Sequence, residues 1–273
     1  MKPFTTEDIQ FILQLIKEAG DKALQYQKGP IAVQRKLDAS IVTDADVAVQ
    51  QFLISSLADY FSKKSQKINF IYEENFEGTE TDLTEETISI IIDPIDGTAI
   101  FSMGLPVWCI SIGVFFGETP QYGFVFAPAA DMLFHNDDTY AYFNNEIISV
   151  DSRMHIDNES NIFYASEIQK IYYIDFPGKS RNLGSTALQA SLVANNQKTR
   201  ALAFIGSSCI WDWAGALPIL LKAGAKIKYI NGEEFNIHRV IENDYYLPEY
   251  LIAYTVDDFS YIQSIFKDHQ DIR

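Results

Sequence analysis

The stretch Ile88-Ser89-Ile90-Ile91-Ile92-Asp93-Pro94-Ile95-Asp96-Gly97-Thr98 joins an apolar run to two carboxylates and a proline. The run from Ile88 to Ile92 is rich in β-branched residues, which predicts a buried strand that ends at the first carboxylate. Pro94 favours a turn that holds Asp93 and Asp96 near each other. Both carboxylates can then reach a hard cation, because such cations prefer oxygen ligands.

The last two residues of this stretch suit an anion. Gly97 and Thr98 offer backbone N–H groups to a phosphate if a helix begins at this point. Asp-Pro and Asp-Gly are also common in ordinary turns, for purely conformational reasons. A metal-bound phosphate site and a simple turn therefore both remain open for residues 93–98 alone.

The composition is that of a globular protein that folds on its own. The chain has 273 residues, of which 47% are hydrophobic and 21% charged, far from the composition of disordered chains. This length allows one large domain or two of ordinary size, and we predict two halves that share an interface. The polar stretch 151–160 is the predicted boundary between subdomains 1–150 and 151–273.

The charge argues against nucleic acid as a partner. The formal net charge is −16 with 21 Lys and Arg in no cluster, so we expect no basic face for a phosphate backbone. So few cationic side chains favour metal ions as the source of positive charge in a site for an anionic substrate.

The sequence shows no signal for export or membrane insertion. Cys109 and Cys209 are the only cysteines, which is too few for a disulfide framework, and they form no C-x-x-C pair. A polar segment follows Met1-Lys2-Pro3, and no stretch approaches 18 uninterrupted apolar residues. We therefore expect a cytoplasmic protein without a membrane span.

The pattern of the first half predicts helices packed on a sheet. Thr5 and Asp8 form a predicted capping box for a helix that ends near Gly29-Pro30, and a second helix follows Thr43-Asp44. β-Branched and aromatic runs then predict buried strands at 68–72, 88–92 and 107–116 in a mainly antiparallel sheet. The last of these continues through strands at 122–126, 133–134 and 140–143 as a predicted antiparallel meander.

The second half alternates between strands and helices, which predicts an α/β layered unit. The predicted strands are 161–165, 201–205, 226–230 and 251–254, and the predicted helices are 185–194, 211–223 and 257–266.

Two further acidic positions lie in apolar surroundings. Glu73 and Glu74 follow the strand that ends at Tyr72, so a carboxylate lies at the carboxyl end of a strand, as at Asp93. Asp212 lies between two tryptophans at the start of an apolar helix. An acid at that position can also serve only the helix N-terminus, through the macrodipole.

Three of these segments together resemble a known family. Glu73-Glu74, the Asp93 to Thr98 run and Trp211-Asp212-Trp213-Ala214-Gly215-Ala216 follow the order and approximate separation of the signatures of the inositol monophosphatase family. The chain is therefore similar to magnesium-dependent, lithium-sensitive phosphatases. Lys36-Leu37-Asp38 and the segments 42–46 and 181–185 also resemble family segments, so the resemblance covers residues 6 to about 230.

The resemblance implies a fold, a reaction and a ligand set. The fold would belong to the α+β / α/β layered class, as an alternating α-β-α-β-α sandwich of the sugar-phosphatase type in a homodimer. The reaction would be hydrolysis of a small phosphomonoester by metal-activated water, with two or three Mg²⁺ per site. Glu73, Asp93 and the carbonyl of Ile95 would bind the first metal, Asp93, Asp96 and Asp212 the second, and a third would share Glu73.

The resemblance also implies which residues contact the attacking water and the phosphate. Thr98 would orient the attacking water, with Asp46 behind it as a hydrogen-bond partner. The N–H groups of Gly97 and Thr98 would hold the phosphate. The catalytic residues would thus be Glu73, Thr98 and Asp46.

The substrate is less defined than the reaction. Inositol-specific members carry a glutamate before the tryptophan-aspartate pair, where this chain has Phe204 and Ile205. Inositol monophosphate is the expected substrate, and a 3'(2'),5'-bisphosphate nucleotide or a sugar phosphate such as fructose bisphosphate is the alternative. A non-catalytic protein that binds a phosphorylated ligand is a more distant alternative. The candidate substrate contacts are Gly184, Ser185, Thr186, Arg181 and Lys36.

Overall fold

The computed structural model describes residues 4–29, 33–35, 41–74 and 87–269. The helices in these ranges are α1 (Thr6–Lys28), α2 (Asp44–Lys63), α3 (Thr98–Ser102), α4 (Ile168–Ile171), α5 (Thr186–Ala194), α6 (Asn196–Thr199), α7 (Ile210–Ala214), α8 (Ala216–Ala223), α9 (Ile237–Glu242) and α10 (Phe259–Ile265). A 3-10 turn spans Pro128–Ala130.

The strands in the same ranges fall into two large sheets and two short pairs. They are β1 (Val33–Arg35), β2 (Ile41–Thr43), β3 (Ile68–Tyr72), β4 (Ile88–Asp96), β5 (Cys109–Phe116), β6 (Thr119–Ala127), β7 (Met132–Asn136), β8 (Ala141–Phe143), β9 (Glu146–Ile148), β10 (Asn161–Tyr164), β11 (Tyr172–Ile174), β12 (Lys179–Arg181), β13 (Ala201–Gly206), β14 (Lys226–Tyr229), β15 (Leu251–Tyr254) and β16 (Phe266–Asp268).

The larger sheet of the described chain runs in the order β3-β4-β5-β6-β7-β8-β9. Pairing is antiparallel from β4 to β9, which confirms the predicted meander, while β3 and β4 are parallel. Alternate residues of β4 face opposite sides: Ile90 and Ile92 pack with α1 and α2, and Ile91 packs with α5 and α8. β4 is therefore buried on both faces, as its continuous apolar run predicts.

The second sheet of the described chain runs in the order β12-β10-β13-β15-β14. β12, β10 and β13 are parallel to one another, so their carboxyl ends lie at one edge. That edge faces the chain segments that lead to α5 and α7. In a sheet of this kind, ligands bind in the crevice outside the carboxyl ends of the strands.

The helices and sheets form five layers. α1 and α2 cover one face of the larger sheet, and α5, α7 and α8 fill the space between the two sheets. α4 and α10 cover the outer face of the second sheet. This confirms the predicted alternating sandwich. The middle layer packs against both halves of the chain, and the subdomain boundary near residue 150 stays a prediction.

The predicted first two helices are confirmed at their N-termini. At α1, Thr5 and Asp8 form both hydrogen bonds of a capping box, and at α2 the pair Thr43 and Asp46 does the same. In such a box the side chains satisfy N–H groups that have no partner within the helix. The helix after Thr43 also buries two polar side chains, Asp46 and Gln50, which apolar periodicity alone does not predict.

The prediction of one helix over 211–223 is wrong. The segment is divided into α7 and α8 at Gly215, whose backbone lies against the sheet at β5 and β6. The N–H of Gly215 donates to Ser111 Oγ at 3.2 Å. The sheet thus provides a hydrogen bond at the helix break, and a long-range contact overrides the local helical pattern. Of the helices in the described ranges, none has the length and hydropathy that a membrane span requires.

His135 in β7 is a buried histidine that should make stability depend on pH. Its ring stacks on Tyr142 with centroids 4.7 Å apart, and its Nδ1 has no hydrogen-bond partner among the described residues. Burial lowers the pKa of His135 to about 4 from 6.5; the Asp137 charge opposes this shift and the Lys17 charge adds to it. Between these two pH values the unfolded chain binds a proton that the folded chain does not, so stability falls as the pH decreases.

The variant His135→Phe tests this dependence. Phenylalanine keeps the ring and removes the titrating nitrogen, so between pH 7 and pH 4 the variant should lose up to roughly 3 kcal/mol less stability than the wild type. Urea unfolding at several pH values measures the difference. The exposed His155 provides the control as His155→Phe, which should follow the wild-type curve. Parallel curves for the wild type and His135→Phe would contradict the prediction.

Candidate active site

A β-bulge in β4 brings the two carboxylates of the Asp-Pro-Ile-Asp segment to the same side of the sheet. Asp93 pairs with Ser111 and Asp96 pairs with Cys109, so three steps along β4 match two steps along β5. In a regular strand, residues three apart point to opposite faces, and one extra residue reverses this. Pro94 lies within the bulge, where its missing N–H removes no hydrogen bond from the regular ladder.

Three carboxylates meet at this bulge. Asp93, Asp96 and Asp212 each offer an oxygen atom, and these atoms lie within 4.8 Å of one another. Asp93 and Asp96 are buried and Asp212 is half-buried. The fold thus brings the end of β4 in the first half of the chain next to the start of α7 in the second half. Asp96 and Asp212 are 116 residues apart in the sequence.

Glu73 reaches the cluster through the parallel register of β3 and β4. Tyr72, the last residue of β3, pairs with Ile92, so Glu73 leaves the ladder at the point where Asp93 follows on β4. The Glu73 charge acts on the cluster, since it raises the pKa of both Asp93 and Asp212. Glu73 is thus close enough to act on Asp93 and Asp212 electrostatically, although it is not one of the carboxylates that meet within 4.8 Å.

Asp212 is held at the start of α7 by contacts from two directions. It accepts a hydrogen bond from the backbone N–H of Cys209 at 2.9 Å. Ser111, the strand partner of Asp93, donates from its Oγ to the carbonyl of Trp211 at 3.2 Å and accepts from Gly215. Ser111 therefore ties the helix that carries Asp212 to the strand position beside Asp93.

Like charges at close range give the cluster its electrostatic character. Burial raises the pKa of Asp93 well above its usual range, and the charges of Glu73, Asp96 and Asp212 raise it further. Burial, then the charges of Asp96 and Glu73, raise the pKa of Asp212 to about 8. The cluster thus needs protons or cations as partners.

Asp96 also caps the N-terminus of α5. It accepts hydrogen bonds from Ser185 Oγ at 2.6 Å and from the N–H groups of Thr186 and Ala187 at 3.1 and 2.6 Å. Burial raises the pKa of Asp96, and these hydrogen bonds oppose the rise. The Ser185 side chain is fully buried, so its hydroxyl serves Asp96. A substrate contact by Ser185 or Thr186 stays a prediction.

Thr98 and Asp46 form a second polar pair beside the cluster. Thr98 Oγ1 lies 3.1 Å from both Asp46 Oδ1 and the carbonyl oxygen of Ile95. Its single hydrogen is directed to these acceptors, so its lone pairs can accept a hydrogen bond from water. Asp46 is fully buried at the start of α2 and accepts two hydrogen bonds from Thr43 through its other oxygen.

Gly97 and Gly184 bring two predicted segments into backbone contact. Gly97 has φ +95°, and a Cβ there would lie 3.0 Å from the carbonyl oxygen of Gly184. Gly184 has φ +84°, and its Cβ would lie 2.5 Å from the side chain of Ile100. Both positions require glycine because of the left-handed backbone and the close approach. α3 begins at Thr98, directly after Gly97, so its first N–H groups have no partner within the helix.

The remaining candidate substrate contacts, and the two positions where inositol-specific family members have a glutamate, lie in different surroundings. Arg181 is exposed at the end of β12 and donates from Nε to Asn161 Oδ1 at 2.7 Å. Lys36 lies outside the described residues. Phe204 and Ile205 are fully buried and face opposite sides of β13, toward the middle helices and the outer layer. Neither position therefore offers a carboxylate or a polar atom to a substrate.

Comparison with known proteins decides the family. A model of the inositol monophosphatase family matches residues 5–257. The chain belongs to the inositol monophosphatase family. This family consists of phosphatases, so the protein is a phosphoric monoester hydrolase.

Relatives and solved structures of this family cover most of the chain. Inositol monophosphatase 1 of Solanum lycopersicum is 31% identical over 232 residues, covering 80% of this chain and 83% of that protein. Inositol monophosphatase 1 of Sus scrofa is 26% identical over 246 residues, covering 85% and 86%. The IMPase of Thermotoga maritima has a TM-score of 0.78 at 24% identity, covering 95% of this chain and 96% of that one. This structural likeness shows the fold.

The donor set of this family member suits a divalent cation. Asp93, Asp96 and Asp212, with oxygen atoms within 4.8 Å, form an all-oxygen set of negative charge, which is what Mg²⁺ prefers. A bound cation would also relieve the repulsion that raises the pKa of Asp93 and Asp212. The residues present therefore fit the metal dependence of the family.

Two residues that support the site, Ser111 and Gln50, are not predicted by the sequence patterns. Ser111 lies in the middle of a strand, and its partner Trp211 is 100 residues away. Gln50 lies one turn after Asp46 on α2, and its partner Glu74 is 24 residues away. The sequence marks each of them only as a polar residue within an apolar periodic pattern. Such a pattern does not predict which residue the side chain contacts.

Proposed function

We propose that this enzyme hydrolyses a small phosphomonoester in a site that holds two or three Mg²⁺. Glu73, Asp93, Asp96 and Asp212 would hold the cations together with the carbonyl of Ile95. The observation that supports this most is the meeting of three buried or half-buried carboxylates within 4.8 Å at the bulge of β4. Such a concentration of negative charge is costly without a cation.

Each part of the site has a separate task in this reaction. When bound, the cations supply the positive charge that neutralises the phosphoryl oxygens, lowers the pKa of water and stabilises the leaving alkoxide. Thr98 accepts a hydrogen bond from the attacking water while its own hydrogen is directed to Asp46 or to Ile95. The hydrogen bonds of Asp46 to Thr43 keep it in place on α2.

The phosphate would bind where α3 begins. The N–H groups of Gly97 and Thr98 lie at this helix start, and the positive φ of Gly97 directs the chain from the bulge into the helix. The contact between Gly97 and Gly184 closes this side of the site. Backbone N–H groups at a helix start suit a phosphate because they donate hydrogen bonds and carry partial positive charge.

Inositol monophosphate is the proposed substrate, with two alternatives of the same reaction. The tomato and pig relatives carry the name inositol monophosphatase. One solved structure of similar fold is an IMPase/NADP phosphatase bound to NADP and Ca²⁺, and another IMPase holds 2'AMP. Phe204 and Ile205 offer no carboxylate for ring hydroxyls, which keeps a nucleotide bisphosphate and a sugar phosphate as alternatives.

Phosphate release from a panel of substrates tests the proposal. The panel contains inositol 1-phosphate, 3'-phosphoadenosine 5'-phosphate, fructose 1,6-bisphosphate and the simple ester p-nitrophenyl phosphate. We expect turnover of at least one ester in millimolar Mg²⁺, a loss of roughly 10³-fold or more with EDTA, and recovery when Mg²⁺ is restored. No release from any ester with any divalent metal would contradict the proposal. Binding of a phosphorylated ligand without turnover would favour the non-catalytic alternative.

Three further features remain predictions. They are inhibition by lithium, a homodimeric state and a cytoplasmic location. A lithium titration of the best substrate and the solution mass of the purified protein test the first two directly.

A further inference from the structure

Helix α2 presents two buried polar side chains to the site, one turn apart. Asp46 is fully buried and Gln50 is 5% exposed. Residues four apart lie on the same face of a helix, so these two side chains form one polar stripe within an apolar face. Asp46 reaches Thr98 at the start of α3. Gln50 reaches Glu74, just beyond the end of β3.

The amide of Gln50 holds the backbone of one residue through both of its polar groups. Gln50 Nε2 donates to the carbonyl oxygen of Glu74 at 2.8 Å, and the N–H of Glu74 donates to Gln50 Oε1 at 2.9 Å. The side chain thus acts as a neighbouring strand would, pairing with one N–H and one C=O. Both residues are buried, so water does not replace these hydrogen bonds when they are lost.

This pairing begins where the β-ladder ends. The last residue of β3 that pairs with β4 is Tyr72, opposite Ile92. Glu73 is the first residue beyond the ladder, and Glu74 follows it. Glu73 is therefore fixed by the ladder on its N-terminal side and by Gln50 on its C-terminal side.

We propose that Gln50 is a positioning residue that holds the Glu73 carboxylate beside Asp93 and thereby sets the affinity of the site for divalent cations. This inference rests on the proposed function in one respect, since it takes Glu73 as a metal ligand. The hydrogen bonds of Gln50 go to the backbone of Glu74, the residue after Glu73. Groups that orient a metal ligand in this way contribute to metal affinity even though they make no contact with the ion.

The variant Gln50→Met tests the inference. Methionine has nearly the length and volume of glutamine but neither donates nor accepts in its place. We expect the dissociation constant for Mn²⁺, measured by calorimetry and by the EPR signal of free Mn²⁺, to rise roughly tenfold or more. Gln51→Met makes the same change at an exposed position of the same helix and should bind Mn²⁺ as the wild type does.

The metal-binding readout separates positioning from a purely structural role. A structural role would lower the melting temperature of the metal-free protein and leave the dissociation constant unchanged, and that result would overturn the inference. So would equal weakening in Gln51→Met, or a wild type that binds no Mn²⁺. If Gln50→Met is insoluble, Gln50→Asn keeps the amide on a stem shorter by one methylene. It should weaken Mn²⁺ binding in the same direction, and wild-type affinity would count against us.

Turnover decides the proposed function independently. A wild type that binds Mn²⁺ but hydrolyses no phosphomonoester would overturn the reaction proposed for the site. The comparison of Gln50→Met with Gln51→Met would still support or overturn the role of Gln50, because it measures binding alone.

Discussion

Asp93→Asn should abolish turnover and at the same time stabilise the metal-free protein. Asp93 is 1% exposed, and burial together with the charges of Glu73, Asp96 and Asp212 raises its pKa. Asparagine removes a charge that a cation needs, so kcat/KM should fall by roughly 10³-fold or more. The same change removes like-charge repulsion when no metal is present. Each kcal/mol gained should raise the melting temperature by roughly 2–4 °C.

The remaining oxygen of asparagine keeps the local structure of the bulge intact. Asp93 Oδ1 accepts a hydrogen bond from the N–H of Ile95 at 2.9 Å, and the asparagine carbonyl oxygen can accept the same bond. Initial rates with the best substrate and thermal unfolding in EDTA measure the two effects. Asp59→Asn, at an exposed position of α2, is the control and should change neither. Wild-type turnover by Asp93→Asn would contradict the assignment of Asp93 as a metal ligand.

Gly123→Ala should severely destabilise the protein and weaken metal binding. Gly113 and Gly123 pair across β5 and β6, and together they form a notch against which the break between α7 and α8 packs. A Cβ at Gly123 would lie 2.0 Å from the carbonyl oxygen of Gly215, and one at Gly113 would lie 2.3 Å from that of Ala214. These are backbone atoms, so no side-chain rotation relieves the overlap, and the helix must move away from the sheet.

That displacement has two consequences. The free energy of unfolding should fall by roughly 3 kcal/mol or more, because the middle layer no longer packs closely on the sheet. Asp212 moves with α7, so the folded fraction should bind Mn²⁺ more weakly. Denaturant unfolding and Mn²⁺ titration measure these effects. Gly29→Ala is the control, since φ there is −93° and the nearest atom to its Cβ lies at 3.6 Å. A Gly123→Ala protein with wild-type stability would contradict the packing argument.

Much of the fold follows from patterns that extend over only a few residues. The capping box of Thr5 and Asp8, the second helix after Thr43 and the antiparallel meander are all present where the pattern predicts them. Capping, periodicity and turn chemistry act between neighbours in the chain. The prediction of a single helix over 211–223 is wrong because the break at Gly215 depends on contact with β5 and β6, which are distant in the sequence.

The amino-acid order predicts the reaction chemistry through its resemblance to the family. Asp93, Asp96 and Thr98 are encoded in one short segment, and Glu73 and Asp212 stand out as acids at the ends of apolar runs. The meeting of Asp93, Asp96 and Asp212 follows from the bulge in β4 and from the packing of α7 on Ser111. The supporting contacts of Gln50 and Ser111 span 24 and 100 residues, and short-range patterns carry no information about such partners. The identity of the proposed metal ligands is thus encoded locally, whereas the distances between them depend on how distant elements pack.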